Sequence, residues 1–157
     1  MTVYCASFGP SGASYVTGNL TLHANNIRPA RIIKCEITAA YGAGTLTYYA
    51  GGSLSGGSTV TPFPLRGGAP ASTQTVKSIT PSGTPSGTPT LLTEFIAGSY
   101  SMDGPSGTTV FHSGTGSYTF PADFIVTAGD ALDMVCGGEG GFVALLYYEE
   151  LKLARSV

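Results

Sequence analysis

His23 and His112 are the only imidazoles in the chain, and they stand far apart in sequence. A histidine acting as general base needs a nucleophile within hydrogen-bond reach and a third group to orient it. His112 instead lies between Phe111 and Ser113 in a strand-like stretch, where it reads as a structural or surface residue. Asp130 and Asp133 are three apart, a spacing that puts them on opposite faces of a strand rather than side by side. "AGDALD" reads as a turn in which Asp130 accepts from backbone amides. Calcium takes roughly six to eight oxygens, and no loop gathers acids around Asp103, Asp123 or Asp130.

The frequent Gly-Ser pairs never form the nucleophile elbow G-x-S-x-G; "GPSGA" (9–13) and "GPSGT" (104–108) lack the second glycine where it is required. The glycines of "GGSLSGG" (51–57) are followed by neither a lysine nor a helical pattern, so they are no phosphate loop. Tyr48–Tyr49 and Tyr147–Tyr148 carry faces on which sugars can stack. Adjacent strand residues point opposite ways, however, so neither pair makes a flat platform. No enzyme, cofactor or metal is expected.

Charged residues make up 10% of the chain, against about 25% in ordinary domains. The net charge of −2 argues against nucleic acid as a partner, since phosphate binding needs a basic face. Arg28, Arg31 and Lys34, the one local basic cluster, read as ordinary strand-face or interface charges. No apolar run approaches the ~20 residues of a membrane helix, and "MTVYCASFGPSG" has no signal-peptide character, so synthesis in the cytoplasm and no membrane partner are expected. Cys35 and Cys136 lie in apolar strand patterns and read as small buried hydrophobes. A chain with so few charges needs a neutral coat of hydroxyls and glycines, or it buries surface against other chains. Substantial burial in an assembly is the expectation.

The elements that would position these residues are strands. In "ARIIKCEITAA", Ile33, Cys35, Ile37 and Ala39 fall on one face, with Lys34, Glu36 and Thr38 on the other. Segments at 44–50, 73–79, 90–98, 108–113, 117–120, 123–127, 131–136 and 142–151 continue the series between Gly, Pro and Ser punctuation. About eight to ten short strands without helical periodicity predict an all-β fold, an antiparallel jelly-roll sandwich or barrel with long Pro/Gly-rich loops. Residues 21–157 form the domain on this reading, and 1–20 an extended N-terminal arm or an edge strand. "PSGTPSGT" (81–88) repeats a Pro-Ser-Gly-Thr unit and reads as a mobile loop or a surface strap.

Several apolar side chains lie where a core does not obviously need them. Tyr4, Phe8 and Tyr15 sit on the loose N-terminal stretch. In "TVTPFPLRGGAPAST" (59–73), Phe63 and Leu65 ride a proline-rich backbone beside Arg66. Such a segment is pre-ordered and loses little entropy on docking. It either presents these residues to a neighbouring subunit or crosses over the end of its own barrel. In "FVALLYYEEL" both strand faces are apolar, so Leu146 and Tyr148 join the candidate interface, one face packing on the core and the other on a neighbour.

The order "ARIIKCEI", "YYAGGSLSGG", "VTPFPLRGGAPAST", "TLLTEF", "FPADFIVTAGDAL" and a terminal strand ending in Glu-Glu resembles a known group. It is similar to the small jelly-roll proteins of tailed bacteriophages that act as capsid decoration, or cement, proteins. The resemblance implies a homotrimer on the outer face of the virion's capsid, bound to the major capsid protein at capsomer junctions. Tail-fibre tips share the same look, and a glycan- or receptor-binding tip of a fibre or spike is the alternative it leaves open.

Overall fold

A computed structural model of the 157-residue chain describes residues 1–25, 27–79, 85–103 and 105–152. None of these residues is helical. The strands are β1 (Val3–Phe8), β2 (Ser11–His23), β3 (Ala30–Ala39), β4 (Tyr41–Ala50), β5 (Ser58–Thr59), β6 (Phe63–Pro64) and β7 (Thr75–Ile79). They continue as β8 (Thr88–Asp103), β9 (Thr108–His112), β10 (Gly114–Thr119), β11 (Ile125–Val126), β12 (Ala131–Gly141) and β13 (Val143–Glu150).

One sheet runs β10-β3-β13-β1-β6, with β11 also beside β3; the other runs β5-β7-β2-β12-β4-β8-β9. Among the long strands the first pairs with the last (β1 with β13), the second with the next to last (β2 with β12), then β3 with β10 and β4 with β8. All these pairs are antiparallel. This is one long hairpin rolled into two facing sheets, the expected jelly roll. Leu20 and Leu22, Leu46, Leu132 and Met134 from one sheet meet Ile32, Ile37, Ala144, Leu146 and Tyr148 from the other in a continuous core.

Two sequence expectations need correction. Ile33 does not share the buried face: Tyr147 pairs with Lys34 and Tyr148 with Ile32, so Ile33 is the extra residue of a bulge. The bulge resets the alternation and turns Ile32 inward in its place. Nor do the first twenty residues form an arm. β1 lies between β13 and β6, and β2 between β7 and β12, because their apolar residues are needed to complete both layers.

The stretch at 59–73 belongs to the long connection from β4 to β8. It joins the edge of one sheet through β5, crosses to the other through β6, and returns as β7. Past Thr59, which pairs with Lys77 in β5, only Phe63 and Pro64 of this stretch enter a ladder, against Cys5 and Tyr4. That short, marginal pairing suits a backbone whose prolines have no N–H to give. At the opposite corner β8 passes so close to β10 that a Cβ on Gly116 would lie 2.1 Å from the Ile96 carbonyl oxygen. Gly98, at φ +67°, redirects β8 from β4 towards β9. Residues 81–84 of the Pro-Ser-Gly-Thr repeat lie outside the described residues; beyond them, Ser86 is hydrogen-bonded to Ser53.

Candidate interaction surface

Three of the residues expected at an interface are inside the chain's own core. Tyr4 is 3% exposed, Leu146 1% and Tyr148 0%. They alternate with Val3, Leu145 and Tyr147 and occupy the inner face of the sheet, which leaves them no route to a neighbour. Tyr4 and Tyr148 stack with ring centroids 5.6 Å apart, and their hydroxyls point at the crossing strap. Tyr4 donates to the Pro70 carbonyl at 3.1 Å, and the Tyr148 and Ser72 hydroxyls are 2.6 Å apart. Burial pushes the Tyr148 phenol well above its usual range, so it remains neutral.

Glu150 completes this fastening. Its carboxylate accepts from the Ser72 hydroxyl at 2.6 Å, the Thr73 amide at 2.5 Å and the Thr73 hydroxyl at 3.0 Å, with Arg28 at 3.5 Å. A cleft of about 690 Å³ opens beside it, among Tyr4, Arg28, Pro70 and Lys152. The basic cluster is likewise engaged at home. Arg31 holds Glu149 at 2.6 Å; Lys34 holds Glu36 at 2.6 Å and lies 5.0 Å from the centre of the Tyr147 ring.

The other candidates face outward to varying degrees. Phe63 is 49% and Leu65 55% exposed, while Val60 of the same strap packs on the core. The strap therefore covers its own barrel and still offers two bulky side chains to solvent. Arg66 is exposed beside them and makes no ion pair among the described residues. Phe8 is half-buried edge-on against Phe142. Tyr15 lies over Gly137, where a Cβ would meet its ring at 2.5 Å. On β13's outer face Val143 is exposed and Leu145 and Tyr147 are half-buried.

A further group of exposed apolar side chains lies on β8 and β9, outside the residues expected at an interface. Past Gly98, β8 leaves β4 and pairs with β9 alone. Tyr100 and Phe111 lie opposite one another in that hairpin, and both rings pack on Tyr41, at 4.9 and 6.4 Å. Ile96, Tyr100, Met102 and Phe111 are all exposed, and the hairpin ladder contains one charged residue, Asp103, at its tip. "SYSMD" and "TTVFH" alternate as ordinary half-buried strands do. Only the departure of β8 from the sandwich leaves their apolar face uncovered.

The two aspartates of "AGDALD" have separate duties. Asp130 accepts from the Tyr48 hydroxyl at 2.5 Å, the Gly51 amide at 2.7 Å and the Thr127 hydroxyl; the backbone amide it caps, Gly51, belongs to the segment after β4 and not to its own turn. Burial works to raise its pKa, but these hydrogen bonds outweigh burial and hold the carboxyl below the usual range. Asp133 is fully buried on the side of β12 away from the core, bonded to Asn19 and Thr21. Burial raises its carboxyl to about 6 against those bonds. Among the described residues no three His, Cys, Asp or Glu side chains converge as a metal site, and the three cysteines are free and buried.

Compared with models of known families, with curated proteins and with solved structures, the chain matches none.

Proposed function

We propose that the chain is a structural virion protein, a capsid decoration protein that assembles as a homotrimer on the outer face of a phage head and clamps capsomer junctions. The observation that carries this reading is the apolar face on the hairpin of β8 and β9, with a second exposed pair, Phe63 and Leu65, on the strap. Exposed apolar groups of this kind mark association sites rather than ordinary surface. The jelly roll supplies a rigid frame for them, and the segment order of the sequence resembles the decoration proteins. Holding a shell against internal pressure needs no catalysis. It needs repeated contacts, each of modest size, engaged together so that avidity does the work.

Light scattering on the purified chain, followed by a pull-down with expanded and unexpanded heads, tests it. Threefold rings, single or linked to one another, that expanded heads retain are the expected result. Saturable binding to a host polysaccharide without affinity for heads would transfer the reading to a fibre tip, for which the Tyr100 and Phe111 rings offer a stacking surface.

A further inference from the structure

The seven-stranded sheet ends in β9, and the far edge of β9 pairs with no strand among the described residues. A free edge presents a row of unpaired N–H and C=O groups, and proteins ordinarily guard it with proline, charge, shortness or a covering segment. The other edges here are guarded. β6 carries Pro64 and follows Pro62, and β5 is two residues long. The outer side of β10 is crossed by β8, with the Ile96 carbonyl against Gly116. β9 has none of these devices. "TTVFH" contains no proline, no glycine and no carboxylate or ammonium group, and four of its five residues are exposed.

We infer that β9 is a self-pairing edge: two copies of the chain join about a two-fold axis through antiparallel β9–β9 pairing, continuing one sheet into the other. The strand itself argues for a second copy as the occupant. Full overlap of five residues sets a single register, in which Val110 faces the other Val110, Thr109 faces the other Phe111 and Thr108 faces the other His112. Like charges never meet in this register. Asp103, across the hairpin from Thr108, lies in line with the second copy's His112, so the end row sets an acid towards an imidazole. On one face the Met102–Thr109 row of each copy adjoins the Phe111–Tyr100 row of the other. Apolar side chains exposed in the single chain thereby meet side by side in a continuous strip across the two copies.

Such a contact is separate from the threefold association proposed above. A two-fold contact cannot close a threefold ring, but it joins one ring to the next.

The test uses three single substitutions in the full chain. Directly opposed Cβ atoms lie ~5 Å apart, close to what a disulfide needs, so V110C should form a covalent dimer on mild oxidation. T108C is the control, since the two copies of residue 108 would be roughly 13 Å apart along the strands. The native cysteines are buried and do not compete. V110K should bring the mass seen by light scattering down from that of linked rings to that of a single trimer while the circular dichroism spectrum stays unchanged. Covalent dimer from V110C no greater than from T108C overturns the inference, even if V110K proves poorly folded. A trimer whose mass V110K leaves unchanged overturns it while sparing the threefold assembly; a monomer at high concentration overturns both.

Discussion

The Asn19 side-chain amide donates to both carboxylate oxygens of Asp133, at 3.1 and 3.0 Å, joining residues 114 apart in the chain. The Thr21 hydroxyl adds a third bond at 2.8 Å. The group is wholly buried, so its charge is held by polar contacts instead of water.

That arrangement predicts an unusual pH profile. With its folded pKa raised from 3.8 to about 6, Asp133 binds a proton in the folded state that the unfolded chain has already released. Its contribution to stability is therefore fully present below pH 3.8 and is lost as pH rises through about 6. The whole effect is on the order of 3 kcal/mol. Urea midpoints of the wild type and D133N across that window should diverge, with the wild type losing relative stability towards neutrality. Parallel profiles would refute the assignment.

Tyr148 is a fastening, and its removal should behave as one. Y148F deletes the hydroxyl 2.6 Å from Ser72 while Ser72 keeps its bond to Glu150. A loss of about 1 kcal/mol in chemical denaturation is expected, with no change in oligomer size. L146A, emptying a fully packed site, should cost about 2–5 kcal/mol, again without altering assembly.

Phe63 and Leu65 should show the opposite pattern. Both are about half exposed, so truncating them to alanine removes little from the core. Thermal unfolding should stay within about 1 kcal/mol of wild type, while sedimentation shows weaker association or heads retain less protein. A large fall in melting temperature with unchanged assembly would return the strap to a purely internal role.

Gly116 tests the sandwich corner. Alanine there would drive a methyl into the Ile96 carbonyl at 2.1 Å, and overpacking of this kind costs about 1–3 kcal/mol. Since β8 also sets where the hairpin projects, G116A should lower the denaturation midpoint and disturb the environment of the Tyr100 and Tyr41 rings, read by near-ultraviolet circular dichroism.

Much of the architecture was legible along the chain. The alternation from Cys35 to Ala39 and the turn at "AGD" are local matters, written in side-chain periodicity and turn chemistry, whereas the Asp130 carboxylate reaches Tyr48 and Gly51, 82 and 79 residues away. The all-β jelly roll followed from their number and spacing. The bulge at Ile33 was not legible, because its cause is the register of β13, more than a hundred residues away. For the same reason Tyr4 and Tyr148 looked available and are not, whereas Phe111 looked like an ordinary strand residue and Tyr100 lay past the strand read at 90–98, and both are exposed.

The amino-acid order by itself determined that this chain makes strands, where they break, and that little charge would cover them, since backbone sterics and side-chain alternation act over a few residues. Only tertiary structure decided which apolar residues are sealed inside and which are left facing out. An aromatic ring has the same affinity for any dry surface, and the pairing of distant strands chooses the surface it meets.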